Sequence, residues 1–525
     1  MVFKTNTDGA AQVVMSVHEH QRLTVHDFTH ASDFNWLMAQ ELPVFSIKRQ
    51  RGQWQLKVGH YIGVILLPSH ITLEILPKTL AHTIGEKSKT SPLESDSHFE
   101  SANFEHAHFD SIVQTRQWVE QMLTTLINAN DDQLPALKNF GQASANLTPL
   151  PVAGVPISQW LLEQFLQLLS RHQPSQHYQT TVENQASLQG KLRIKEQLRD
   201  NSHQPHKFVS EVSTLSTQML SNRLIKSALQ LVEPLLTAPL LPKYWLAWRS
   251  IMALSPHEYQ QLDSLYISAK QQLSQQPVGR QQRQASQQLL AFAYWLLKTQ
   301  AATMPTGNII SSHQKSGHQS DLSHSAPIRL CLLLNMNLAF EQWASLRIAN
   351  HFAQRHDHYL PLYQAQHVWL KDHLGQAQLS MRPDLLIYRQ ASEQGGASRS
   401  NERGATRYCS HVIDIKWKLL AKAGDISASD AYQLSSYAQA YQAEQVWLVY
   451  PVTDGRSRPI ALHRQRDARF GPATNADNST ANRAQNSTGI TKPTEGTLWL
   501  MPFNVLTGQI LEPVSSGEDS KERSG

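Results

Sequence analysis

The sequence predicts a multidomain α+β protein: a β-rich N-terminal domain, a mainly helical middle region and a C-terminal α/β domain. Three observations predict it. Early in the chain, apolar and polar residues alternate, as in Ile71-Thr-Leu-Glu-Ile-Leu, which is the period of a strand. Between about 145 and 300 the apolar residues recur at helical spacing. From Ile328 onward helix-type and strand-type segments follow one another. A chain of 525 residues has room for roughly two to four such domains.

Residues 1–78 read as the β-rich domain. Trp54 to Ile65 and Ile71 to Lys78 carry its clearest strands. In the second, Ile71, Leu73 and Ile75 alternate with Thr72 and Glu74, a half-buried pattern that Pro77 ends. Residues 79–110, rich in His, Ser and Lys, read as an exposed insertion. The helical region spans 111–300. One helix is expected over 111–127, on Ile112, Val119, Leu123 and Leu126, and another over 157–170, on Ile157, Trp160, Leu161, Phe165 and Leu168. Leu220 to Leu229 and Gln287 to Leu297 are patterned the same way. Residues 301–327 read as a linker.

The α/β domain spans 328–513. It begins with a helix near 337–352, followed by strands at about 378–388 and 411–417. A helix at about 430–443 and a strand at 446–450 come next. Low-complexity stretches at 391–407 and 470–494 interrupt it, and a polar tail, 514–525, is expected to be disordered.

Composition excludes several classes. No run of 18 apolar residues appears, so no membrane span is expected, and Met1 to Asp8 lacks a signal-peptide pattern. Two cysteines, Cys331 and Cys409, exclude a disulfide framework, and a cytoplasmic location is the expectation. The net charge of +5 permits nucleic-acid binding without requiring it, and basic residues exceed acidic ones between Arg382 and Lys422. Gly-x-x-x-x-Gly-Lys-Ser/Thr, Gly-x-Gly-x-x-Gly and Gly-x-Ser-x-Gly are all absent. Among 25 histidines, His18-Glu-His20, His26 with His30 and His106-Ala-His108 are the nearest clusters, and none matches His-Glu-x-x-His.

The chemistry concentrates in Met-Arg-Pro-Asp (381–384) and Val-Ile-Asp-Ile-Lys-Trp-Lys (412–418). On a strand, Asp414 and Lys416 share one face with Val412, while Ile413, Ile415 and Trp417 point to the other. An ionic pair inside an apolar strand is costly unless it is paired or binds a metal. Asp384 and Asp414 can hold Mg²⁺, with the main-chain carbonyl of Ile415 as a further oxygen ligand. Lys416 can orient or help deprotonate an attacking water and offset phosphate charge. Glu341, on the helix before, can reach the metal through water. Gln433 and Tyr437 share a helix face that can meet a DNA backbone, together with Arg382 and Lys418. The bland reading of Asp414 and Lys416 is a structural ion pair on an edge strand.

A helix with Glu, a strand with Asp, a strand with Asp-x-Lys and a helix with Gln-x-x-x-Tyr, in that order, resemble the PD-(D/E)xK nuclease superfamily. More narrowly the chain resembles the McrC family, the nuclease subunit of McrBC-type 5-methylcytosine restriction systems. Val58-Gly-His-Tyr-Ile-Gly-Val-Ile with Ile71 to Lys78, Leu188-Gln-Gly-Lys-Leu and Leu220-Ser-Asn-Arg-Leu-Ile-Lys carry the resemblance in the first half. Arg382-Pro-Asp, Asp414-Ile-Lys-Trp-Lys and Asp430-Ala-Tyr-Gln-Leu-Ser-Ser-Tyr carry it in the second. Asn335 and Ala339 depart from the family's pattern, which has an acidic and a bulkier apolar residue there.

The resemblance implies a restriction-endonuclease-like C-terminal domain that cuts methylated double-stranded DNA with Mg²⁺, leaving a 5′-phosphate and a 3′-hydroxyl. It also implies a separate McrB-like AAA+ GTPase ring that binds the GTP, reads the methylcytosine and receives the N-terminal domain. A double-strand break then needs two copies of the chain or two events. The rival readings are a partner-independent repair nuclease of the same superfamily and a non-catalytic adaptor that regulates an AAA+ ring.

Overall fold

The computed structural model describes residues 2–5, 12–78, 99–129, 147, 150, 152–236, 241–303, 329–355, 359–390, 407–420, 423–462 and 497–512. Most of the expected insertion at 79–110, the linker, the stretches at 391–407 and 470–494 and the tail lie outside them. The chain divides into two compact units.

The first unit takes in Met1–Lys78, His106–Asp132 and Leu137–Asn335. It opens with β1 (Val2–Thr5), β2 (Gln12–His18), β3 (Arg22–Leu23), helix α1 (Ala31–Ala39), β4 (Phe45–Gln50), β5 (Gln53–Val58), β6 (Tyr61–Leu66) and β7 (Thr72–Leu76). Helices α2 (Phe99–Asn128) and α3 (Ile157–Ser170) follow, then β8 (His177–Gln185), β9 (Lys191–Leu192), α4 (Ile194–Asp200) and β10 (Phe208–Ser216). The unit finishes with α5 (Leu220–Val232), α6 (Leu241–Trp248), α7 (Pro256–Tyr259), α8 (Leu262–Ser274), α9 (Arg280–Thr303) and β11 (Cys331–Asn335). Among the described residues three sheets form, in the orders β1-β2-β7-β6-β11, β3-β5-β4 and β8-β10-β9.

Four features of this unit differ from the sequence expectation. Residues 331–335, placed in the α/β domain with no strand expected there, form a strand that pairs antiparallel with β6. Gly63 permits that pairing. Its φ is +138°, and a Cβ there would lie 1.9 Å from the Leu332 carbonyl oxygen. Second, α2 begins at Phe99, inside the expected insertion. Third, the middle region contains the sheet β8-β10-β9, because segments such as Phe208-Val-Ser-Glu-Val-Ser-Thr-Leu-Ser are rich in β-branched and hydroxyl residues that favour strands over helix.

Fourth, β7 is buried on both faces rather than half-buried: Thr72 and Glu74 are 0 % exposed. Glu74 is satisfied by a network. Arg116 of α2 donates to it through Nη2 at 2.7 Å and Nε at 3.1 Å, Ser16 of β2 at 2.7 Å, and the Ile157 N–H at the start of α3 at 2.8 Å. The apolar stripe of α3 is buried as its spacing predicts.

The second unit includes Met336–Gly525. Helix α10 (Met336–Arg355) leads to β12 (Tyr359–Tyr363), β13 (His367–Lys371), β14 (Ala377–Met381), β15 (Leu385–Gln390) and β16 (Arg407–Ile415). Helix α11 (Ala428–Tyr441), β17 (Gln445–Val452), β18 (Ile460–Leu462), β19 (Thr497–Asn504) and β20 (Gln509–Ile510) complete it. The sheet runs β12-β15-β16-β17-β19-β18, with β20 beside β19 and the hairpin β13-β14 apart. β16 pairs antiparallel with β15 and parallel with β17, so it is an interior strand.

Both faces of this sheet are covered, as parallel pairing requires. Val412, Val446 and Leu448 pack with Leu434 and Tyr437 of α11. Trp417 packs on Phe340 of α10, which also meets Phe503 of β19. The strand expected at 378–388 is two strands, β14 and β15, separated by Arg382-Pro383-Asp384, where Pro383 has no N–H to give a ladder. β16 lies earlier than the expected 411–417 and ends at Ile415.

Candidate functional site

The break at Pro383 and the end of β16 create the site. Asp384 ends the irregular step into β15, and Asp414 is the penultimate residue of β16. Leu385 pairs with Ile413, which brings the two aspartates to the same end of neighbouring strands. Both are buried, Asp384 at 9 % exposure and Asp414 at 1 %. The Ile415 N–H donates to Asp384 Oδ2 at 2.6 Å. Lys416 Nζ lies 2.9 Å from Asp414 Oδ2 and 3.1 Å from Oδ1. The edge-strand reading of this pair does not hold, since β16 has neighbours on both sides.

The charges act on one another. Burial, then the Asp414 charge, then Glu341 push the Asp384 carboxyl well above the ordinary aspartate range, against the pull of Lys416 and the Ile415 N–H. Burial also raises Asp414, and Lys416 offsets part of that shift. Burial opposes the charge on Lys416, but Asp414 and Asp384 outweigh it and hold the ammonium form. Two buried carboxyl groups therefore act on one another and on one lysine, and both offer hard oxygen donors. That donor set fits a hard divalent cation such as Mg²⁺.

Glu341 acts electrostatically on both aspartates. Among the described residues, the one trio of His, Cys, Asp or Glu side chains whose ligand atoms all lie within 4.8 Å of one another is in the first unit and does not include it. Its Oε1 accepts from Gln364 Nε2 at 2.8 Å. Gln433 of α11 reaches the site: its Nε2 lies 3.4 Å from Asp414 Oδ1 and 2.7 Å from the Tyr437 hydroxyl. The Tyr437 ring itself is buried in the core beneath α11, so only its hydroxyl bears on the site. Lys418 Nζ donates to Asp430 Oδ2 at 2.6 Å, and Arg382 is exposed.

The model of the McrBC 5-methylcytosine restriction system component family matches residues 56–451. The chain belongs to this family. Comparison with curated proteins gives no match. One similar structure is a chain of the refined half-complex from the tetradecameric assembly of Thermococcus gammatolerans McrB AAA+ hexamers with bound McrC. It has 14% identity over 94% of this chain and 95% of that one, at a TM-score of 0.45. A second is a chain of the cryo-EM structure of the Thermococcus gammatolerans McrBC complex. It has 16% identity over 65% of this chain and 88% of that one, at a TM-score of 0.32.

One residue of the candidate site escapes the sequence patterns. Gln364 follows β12 in a left-handed conformation, φ +46°, which a glutamine rarely adopts. Its N–H donates to the Asp384 carbonyl at 3.0 Å, its amide nitrogen holds Glu341, and its amide oxygen accepts from Arg382. It thus ties three candidate residues together. Asp430, the partner of Lys418, is a further charged residue beside the site. Burial works against its charge, but Lys418 and Ser427 outweigh that and keep it ionised below its usual range. The unusual φ is invisible in sequence, whereas Asp430 after Ser427 is a helix-start signature.

Proposed function

We propose that the chain is the McrC-like nuclease subunit of its restriction system. In this reading it hydrolyses DNA phosphodiester bonds, works with an McrB-like AAA+ GTPase ring and stimulates that ring's GTP hydrolysis. The second unit is then a PD-(D/E)xK domain. The observation that carries the reading is a pair of buried aspartates at one end of β15 and β16, Asp414 ion-paired with Lys416 and Asp384 held by the Ile415 N–H. Carboxyl groups buried beside one another cost stability, and groups perturbed in this way collect at functional sites.

Asp384, Asp414 and the Ile415 carbonyl would hold Mg²⁺, with Glu341 reaching it through water. Bound there, the ion would polarise the scissile phosphate and lower the pKa of the attacking water. Lys416, held as an ammonium by its neighbours, offsets phosphate charge and orients the water by donation. Gln433 fixes the Asp414 carboxylate from the α11 side. Arg382 and Lys418 lie on either side of the pair in sequence and meet the DNA backbone. GTP and the methylated base belong to the partner, and a double-strand break takes two such chains or two events.

Reconstitution tests this. The chain is combined with an McrB-like partner, GTP, Mg²⁺ and DNA carrying 5-methylcytosine. Asp414→Asn is expected to abolish cleavage while leaving stimulated GTP hydrolysis in place. Cleavage that survives the substitution would remove the catalytic assignment. Cutting of unmodified DNA by the chain alone would favour a partner-independent repair nuclease.

A further inference from the structure

The first unit holds a second cluster of ligand-type side chains. His18-Glu-His20 alone matches no metal motif, but the fold brings His60, from the turn between β5 and β6, against it. One ligand atom each from Glu19, His20 and His60 lies within 4.8 Å of the other two. Glu19 Oε1 is 3.7 Å from His60 Nδ1, and the His20 and His60 rings meet edge to face with centroids 4.5 Å apart. Ligands around a tetrahedral ion at about 2.0–2.1 Å stand roughly 3.3 Å apart, within reach of small side-chain rotations.

The backbone is built to hold the three. The Glu19 N–H donates to Leu76 at the end of β7, the His20 N–H to Val58 at the end of β5, and the Lys78 N–H to Glu19 Oε2 at 3.0 Å. His20 is held left-handed, φ +65°, where a histidine is strained, and such strain collects at functional positions. The Glu19 side chain is fully buried and the His60 side chain half exposed, which leaves an open side for water or an added ligand. Lys57 and Lys78 stand close enough to act electrostatically on both rings. Two imidazoles with one carboxylate suit Zn²⁺-class ions rather than Mg²⁺ or Ca²⁺, whose ligands are oxygens, and the two ammonium groups work against any dication there.

We propose that Glu19, His20 and His60 form a site for an imidazole-binding divalent metal of the Zn²⁺ class, stapling the end of β2 to the turn between β5 and β6. The inference stands apart from the nuclease reading, because it uses no residue of the Asp384–Asp414 site.

The test uses the full chain, stripped with chelator and dialysed against micromolar ZnCl₂, with bound metal counted and the Co²⁺ form followed by visible absorption. One bound equivalent is expected in the native chain and in Asp414→Asn alike. At least a tenfold weakening is expected in His60→Gln and in His20→Gln. His60→Gln alters an exposed ring, so circular dichroism should show the fold retained. The proposal is overturned if the native chain takes up no Zn²⁺ at micromolar concentration. It is equally overturned if binding survives both histidine substitutions, or if Asp414→Asn alone removes it.

Discussion

The Ile415 N–H donates to the Asp384 carboxylate at 2.6 Å, so the last residue of β16 orients the aspartate that precedes β15. The bond needs an acceptor but no charge. Asp384→Asn is therefore expected to keep the fold and reduce cleavage by the reconstituted complex at least about 100-fold. Asp384→Ala should lose cleavage equally and also destabilise the chain by about 1–3 kcal/mol, because it orphans a buried N–H. Thermal unfolding separates the two, and equal stability of both variants would contradict the role given to this bond.

Gln364→Ala releases Glu341 and Arg382 at once. If Glu341 supports a metal, the Mg²⁺ concentration for half-maximal cleavage should rise several-fold. Gln364→Glu should do worse than alanine, since it sets a carboxylate against Glu341. A Mg²⁺ titration of the three proteins reads the effect directly. Superimposable curves would detach Glu341 from the metal.

Arg116 and Glu74 form a buried ion pair with Ser16. Removing one partner of such a pair costs about 3–5 kcal/mol. Arg116→Met should lower chemical-denaturation stability by about that much, and Arg116→Met with Glu74→Gln should recover part of it. A loss below about 1 kcal/mol would mean that the pair is screened by water.

Glu120, on α2, accepts from the Gly154 N–H at 3.1 Å. Burial raises its carboxyl from an ordinary 4.5 to about 7. A folded value above the unfolded one means that its stabilisation is complete below about pH 4.5 and is lost as pH rises through about 7. Glu120→Gln cannot ionise. The variant should be less sensitive to pH between 5 and 8, and at pH 8 more stable than the native chain by on the order of 2 kcal/mol. Urea midpoints measured across that range check the sign.

Much of this arrangement was legible because period and chemistry coincide locally. Ile157, Trp160, Leu161, Phe165 and Leu168 gave a helix whose stripe is buried, and Asp414 with Lys416 gave an ion pair within reach of Asp384. What was not legible depends on partners distant in sequence. Glu74 reads as a solvent-facing residue until Arg116 covers it. Cys331 to Asn335 reads as the start of the last domain until Gly63 admits it beside β6. Gln364 carries no pattern at all, since its role comes from a backbone angle. His60 lies far along the chain from His20, which local spacing cannot anticipate.

The pairing of β6 with β11 also bears on how the chain is born. On the ribosome β6 emerges early, with an unpaired edge and an apolar face, while Cys331–Asn335 is still untranslated. At about 5–20 residues per second, that edge waits roughly a quarter of a minute to a minute for its neighbour. Nascent chains in that interval offer an open strand to one another or to a chaperone. The last stitch of the first unit is thus also the step that ends its most aggregation-prone moment, immediately before the stretch from Met336 onward begins to appear.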